Sequence, residues 1–252
     1  MTGNADKWIY AWELQQNLEI KGREERFSFM FDVVGHYSGT KPKILDLACG
    51  PGSLGGKFTA RYPHATSVGV DYDPVLLHLA RSFSGYDHNR MRFVEADLGK
   101  DDWVTLLNSR DLDAVMSTTA LHWLNESSLR RVYDEIYSLL GENGIFLNGD
   151  HLYPLNENGA IKELFNNLRH KHQEQEKTSG KALTWNQWWE EISEVEEFRE
   201  LLEERKRRYP NADRHTHEVS LEQHREFLRD AGFRAVEVGW QDLDNRVLIA
   251  LK

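Results

Sequence analysis

The sequence predicts an α/β fold: a mostly parallel sheet flanked by helices and ended by an antiparallel hairpin. Three observations predict it. Short apolar runs alternate with stretches of helical periodicity. The first run opens into a glycine-bearing loop, so that residues 44–55 read ILDLACGPGSLG, a strand, a turn and a helix start. Residues 219–252 read as one capped helix followed by two strands.

The elements follow in order. Residues 7–37 are helical in pattern and rich in aromatics (Trp8, Tyr10, Trp12, Phe27, Phe29, Phe31). Strands are predicted at 43–47, 67–71, 91–94, 112–117 and 144–149, with helices near 53–62, 74–83, 99–107 and 126–140 between them. The last of these helices places Leu129, Val132, Tyr133, Ile136, Leu139 and Leu140 on one side and stops at Gly141. Residues 152–218 shift in composition to Glu, Lys, Arg and Trp and carry two helical stretches, 158–177 and 185–208, parted by Thr178-Ser179-Gly180. Thr184 and Gln187 form a capping box for the second, along which Trp188, Ile192, Val195, Phe198 and Leu202 make an apolar stripe. Ser220 and Gln223 cap the final helix, and FRAVEVGW and RVLIALK are joined through Asp244-Asn245.

Two cofactor classes compete for the glycine loop. Gly50-Pro51-Gly52-Ser53-Leu54-Gly55 satisfies the G-x-G-x-x-G dinucleotide pattern, and Asp71 lies where a ribose-binding acid belongs. A pyrophosphate, however, needs backbone N–H donors and positive charge. Pro51 has no N–H, and no Lys or Arg lies between Asp46 and Gly56. A phosphate-free adenosine bearing an ammonium group suits Asp46 and this turn better, and S-adenosylmethionine is such a molecule.

With those residues in view, the chain resembles a class I S-adenosylmethionine-dependent methyltransferase of the small-molecule type. VGVDYDP (68–74) resembles the family's second strand, which implies that Asp71 bonds the ribose, with Tyr72 beside it. FVEADL (93–98) implies that Asp97 and Leu98 flank the adenine. DAVMSTTALHWL (113–124), containing Ser117, resembles the fourth strand and active-site mouth, and GIFLNGDHL (144–152) the fifth. Its LHW triplet is similar to that of juvenile hormone acid and trans-aconitate methyltransferases. The resemblance implies a Rossmann-like seven-stranded sheet with residues 41–151 and 219–252 as the core. It also implies an N-terminal helical cover over 1–40 and a helical cap inserted at 152–218. Cofactor contacts are expected from Asp46, Ala48, Gly50, Gly52, Asp71, Tyr72, Asp97, Leu98, Ser117 and Arg26, with Arg23 the alternative to Arg26 for the cofactor's carboxylate. Ala48 stands where the family often has its first loop glycine, so a slightly stiffer turn is expected.

Composition sets further bounds. The formal net charge of −10 disfavours a nucleic-acid substrate, because an extended phosphate backbone would meet a repulsive field. Arg205 to Arg208 is the obvious cationic cluster in the sequence and reads as part of a mixed-charge helix. Cys49 is the sole cysteine, no charged-then-apolar leader opens the chain, and no apolar run approaches the ~18 residues that span a bilayer. A cytoplasmic protein without a membrane partner, monomeric or homodimeric, is the expectation.

The chemistry expected is methyl transfer to a small molecule, most simply at a carboxylate or hydroxyl oxygen. His122 and His151, just past the fourth and fifth strands, are the candidate bases, since an unperturbed imidazole titrates near neutrality. Trp123, Tyr153, Trp185, Trp188 and Trp189 are candidate walls of the acceptor pocket. His215, His217 and Glu218 make too few ligands for a metal, and none is expected. The alternatives are transfer to nitrogen or carbon, a nicotinamide-dependent oxidoreductase, and a non-catalytic cofactor-binding partner protein.

Overall fold

The computed structural model describes residues 4–100, 102–154, 159–177, 182–210 and 219–252. Its sheet has seven strands: β1 (Lys43–Leu47), β2 (Thr66–Asp71), β3 (Met91–Glu95), β4 (Leu112–Thr118), β5 (Leu140–His151), β6 (Ala235–Asp242) and β7 (Asn245–Leu251). They lie in the order β3-β2-β1-β4-β5-β7-β6. The first five are parallel; β7 runs antiparallel between β5 and β6. The strand order reverses between β1 and β4, and at such a switch the loops leaving the carboxyl ends diverge and open a crevice.

Both faces of the central strands are buried, which is why they read as near-continuous apolar runs. Leu45, Leu47, Val115 and Phe146 pack with helices α5 (Trp103–Leu107), α6 (Glu126–Leu139) and α10 (Leu221–Asp230). The alternate residues Ile44, Ala114, Met116, Ile145 and Leu147 pack with α2 (Arg23–Tyr37) and α3 (Ser53–Arg61). A third apolar cluster joins α1 (Asn4–Glu19), α4 (Pro74–Ser82) and α8 (Trp185–Ser193) through Trp8, Trp12, Leu76, Leu79, Trp188 and Ile192. The N-terminal helix and the 152–218 segment therefore share one core.

Several boundaries differ from the sequence reading. The N-terminal helical stretch is two helices, because the chain turns at Gly22 with φ 71°. The stretch 185–208 is also two, α8 and α9 (Arg199–Arg208), separated by a short 3-10 turn at Glu196–Phe198 that buries Phe198. The long helix expected from 158 is α7 (Gly159–Lys177), while α5 begins only at Trp103. β5 starts at Leu140, pairing with Leu112 before a register shift lets Ile145 meet Ala114. The β6–β7 turn falls on Leu243-Asp244, one residue earlier than expected, with Leu243 at φ 57°. Thr178-Ser179-Gly180 and His215, His217 and Glu218 lie outside the described residues.

Candidate active site

The carboxyl ends of β1, β2 and β4 open into a cavity of about 490 Å³. Its floor is the turn after β1. Ala48 (φ 56°), Gly50 (φ 55°) and Gly52 (φ 84°) all take left-handed backbone, which reverses the chain within a few residues. A Cβ on Gly52 would stand 2.8 Å from the Phe93 ring. Ala48 holds the same conformation with a side chain, at a cost of about 1 kcal/mol.

Four amide donors of this turn are already used. Cys49 N–H donates to Val70 O, Gly50 N–H to Asp71 Oδ2 at 2.7 Å, Gly52 N–H to Cys49 O, and Gly55 N–H to Asp46 Oδ2 at 2.9 Å. Pro51 has none to give. A pyrophosphate meets four carboxylates there, since Asp46, Asp71, Asp73 and Asp97 all line the cavity. The same set fits a cationic nucleoside. Asp71 is held rigidly at the tip of β2, its Oδ1 accepting from the N–H groups of Tyr72 and Asp73, both at 2.8 Å.

Burial sets the electrostatics here. It pushes the Asp46 carboxyl up to about 7, against the stabilising Gly55 N–H and with help from the nearby charge of Asp71. Burial likewise pushes Asp71 up to about 6, partly offset by its backbone donors. Both groups gain from a bound cation.

The roof comes from outside the sheet core. Trp12, Gln16, Arg23 and Phe27 descend from α1 and α2; Trp185, Trp189, Arg205 and Tyr209 come from the 152–218 segment. Arg23 pairs with Glu13 at 2.9 Å and stacks on Phe27 at 4.6 Å, while Lys57 holds the same carboxylate. Burial would raise the Glu13 pKa, but Arg23 and Lys57 outweigh it and bring it to about 2. On the other side Arg205 stacks 3.7 Å from the Trp189 ring and binds buried Asp73 at 2.6 Å. Arg208 donates to Tyr72 O at 2.7 Å and pairs with Glu95. The Trp189 indole N–H is buried without a hydrogen-bond partner.

The wall past β4 is made by Thr118, Thr119, Ala120, Trp123 and Leu124. Thr119 has φ 49°, a strained setting for a β-branched residue, and its N–H donates to Gly149 O at 2.8 Å. Trp123 packs against the His122 ring with centroids 4.6 Å apart. His122 Nδ1 lies 2.7 Å from Oδ1 of Asp150, a fully buried carboxylate that also accepts the N–H of His151. Burial would raise the Asp150 pKa, but His122 and His151 bring it below the ordinary range. Asp150 can only accept, so the imidazole donates from Nδ1 and Nε2 keeps the basic lone pair.

Asp46, Ala48, Gly50, Asp71, Tyr72, Asp97, Leu98, Trp123 and Trp185 all line the cavity, and Gly52 shapes its turn. Others lie elsewhere. Arg26 is fully buried, bonds Asn245 and does not line the cavity; Arg23, one helical turn earlier, does. Ser117 is buried and ties β4 to Leu47 O on β1 at 2.8 Å. Trp188 is a core residue whose indole donates to Trp8 O, and Trp189 takes the lining position instead. His122 is not among the lining residues, although its ring packs on Trp123, which is, and His151 turns to Asp244 at 2.7 Å. Tyr153 joins that second cluster through Arg169, which also binds Asp244. Asp150, Trp12 and Arg205 escaped sequence reasoning. Only Asp150 had a signal there, since it ends the strand that neighbours β4.

Residues 44–144 match the family model described as a methyltransferase domain. Among curated relatives it is 25% identical over 158 residues to the malonyl-[acyl-carrier protein] O-methyltransferase of Paenibacillus sp. (strain JDR-2), covering 62% of this chain and 55% of that one. It is 30% identical over 127 residues to the enzyme of the same name from Legionella pneumophila, covering 50% and 42%. It is 33% identical over 98 residues to the trans-aconitate 2-methyltransferase of Mycolicibacterium gilvum, covering 38% and 34%. The chain thus spans about half the length of the first two relatives. In fold, the chain superposes on human N-acetylserotonin methyltransferase, solved in complex with SAM. The TM-score is 0.58 at 16% identity, over 96% of this chain and 55% of that one. Among the described residues no helix is long and apolar enough to cross a membrane, and no three potential ligands group as a metal site.

Proposed function

We propose that the protein transfers a methyl group from S-adenosylmethionine to a small-molecule acceptor, at a carboxylate or hydroxyl oxygen. The observation that carries this is the floor of the cavity: a left-handed turn without a cationic residue, two of whose amides are held by Asp46 and Asp71 themselves. That floor disfavours a nicotinamide dinucleotide and suits a phosphate-free cation. Asp71 would hold the ribose, Asp97 and Leu98 would flank the adenine, and Arg23 is placed for the cofactor's carboxylate. The cofactor, when bound, supplies an already activated methyl group.

The chain's own part is alignment and exclusion of water. Trp12, Trp185 and Trp189 close the cavity from above. His122, fixed by Asp150, offers Nε2 as a base for an acceptor hydroxyl, whereas a carboxylate needs none. The names malonyl and trans-aconitate among the relatives support an acidic acceptor. The field of a chain with net charge −10 and the lone buried Cys49 support a small substrate and a reducing, cytoplasmic setting.

Calorimetry tests this. S-adenosylmethionine and S-adenosylhomocysteine should each bind one per chain, and Asp71→Ala should weaken both by about tenfold or more, the value of a charged hydrogen bond. A clean titration with NADH and none with either sulfur nucleoside would overturn the reading.

A further inference from the structure

A second concavity, of about 510 Å³, lies at the opposite, amino-terminal edge of the sheet. It is formed where β1, β2, β3 and β4 begin, so residues distant in sequence meet there. Lys43, the first residue of β1, lines it, and Asp46 of the cofactor cavity is three residues further on, about 10 Å along an extended strand. The two cavities open at opposite ends of the same strands.

The groove's lining is cationic in an acidic protein. Lys43, His88, Arg90, Arg92 and Arg110 line it, and no Asp or Glu does. Neighbouring carboxylates compensate only part of that charge. Asp87 pairs with Arg90 at 2.7 Å, and Asp113 accepts the backbone N–H of Lys43, also at 2.7 Å. Arg92, by contrast, spends its hydrogen bonds on uncharged oxygens, Leu107 O and Ser109 Oγ. The His88 Nε2–H donates to Phe83 O at 3.1 Å. Asn89, Asn108 and Ser109 add polar groups to the same lining.

We propose that this groove binds a compact phosphate-bearing metabolite, held by Arg92, Arg110 and Lys43. Guanidinium and ammonium groups converging in one concavity match the several oxygens of a phosphate or oligophosphate. An extended nucleic acid is disfavoured, because a polyanion reaching beyond the groove meets the field of a chain with net charge −10. A small anion stays within the basic walls. The site is independent of the cofactor cavity and of the reaction proposed for it.

Inorganic pyrophosphate, titrated calorimetrically into the full chain at low and moderate salt, tests the proposal. One pyrophosphate should bind per chain, more tightly than orthophosphate, with affinity falling as salt rises. Arg110→Gln and Lys43→Gln, both at exposed positions, should each weaken binding by about tenfold while leaving S-adenosylhomocysteine affinity and thermal stability unchanged. Arg92→Gln should weaken it further. Absence of pyrophosphate binding would overturn the proposal. So would unchanged affinity in both exposed variants, or tighter binding of a short RNA than of pyrophosphate.

Discussion

At the scale of single residues, the cavity at the carboxyl ends of β1, β2 and β4 leaves two buried carboxylates without charge compensation. Asp46 and Asp71 receive backbone N–H groups but no cationic side chain within ion-pair distance, so burial leaves their carboxyls at about 7 and about 6. A bound cation favours the ionised forms. Affinity for S-adenosylmethionine should therefore rise with pH and level off above 7, and binding near pH 6 should release protons. Calorimetry between pH 5.5 and 8, in buffers of different ionisation enthalpy, should show about a tenfold gain. Asp46→Asn should flatten the profile; a flat profile in the parent protein would contradict this account. The residue types and spacing of this floor were legible in the sequence, because local turn chemistry fixes them. What sequence did not show is that the Cys49 and Gly50 amides are consumed internally, since that depends on where Val70 and Asp71 sit across the sheet.

At the scale of elements, the decisive piece is α9. Its Arg205 and Arg208 reach Asp73, Tyr72 O and Glu95, fastening the 152–218 segment beside the ends of β2 and β3. In the sequence these arginines read as a solvated helix end. Their partners lie more than a hundred positions away, so no periodicity reveals them. The Asp73 side chain also caps α4, accepting from Val75 and Leu76 N–H, so one carboxylate serves both a helix start and the fastening. Removing Arg205 should loosen the roof without unfolding the core. Arg205→Ala is expected to speed S-adenosylhomocysteine dissociation by about tenfold, the loss of one charge-assisted contact. Stopped-flow tryptophan fluorescence, with Trp189 beside the altered residue, measures it. An unchanged off-rate would mean that the roof is held by α8 packing alone.

At the scale of the whole molecule, buried titratable groups on the two sides of the sheet oppose one another in stability. His224 of α10 sits in the core with Nδ1 2.5 Å from the Tyr133 hydroxyl, and burial drives its pKa down to about 4 from 6.5. A depressed histidine gives stability that is present above 6.5 and lost as pH falls through 4, worth about 3 kcal/mol over that interval. Asp46 and Asp71 act in the other sense. Their raised pKa values favour the folded chain when protonated, and that contribution is lost as pH rises through 6 to 7. On these three groups the cofactor-free protein should lose stability as pH rises from 4 to 7, less steeply than the two carboxylates alone would give because His224 opposes them. His224→Gln should expose the carboxylate slope, so that urea unfolding finds the variant more stable at pH 4.5 than at pH 7. A variant profile still declining toward acid would show that other groups dominate.

The sequence by itself determined the strand–turn–helix start, the alternation of five apolar strands with helices, the capping boxes and the terminal hairpin. Each is set by neighbours a few positions apart, and backbone propensity, turn chemistry and periodicity act over that range. Only the tertiary structure decided that Arg23 rather than Arg26 lines the cavity, that Trp189 rather than Trp188 faces it, and that His122 leans on Asp150 and packs on Trp123. It alone also gathered Lys43, Arg92 and Arg110 into one groove. Which face of an amphipathic helix meets the cavity, and which strand ends meet at an edge, depends on packing between distant segments, and no local pattern encodes that rotation or that meeting.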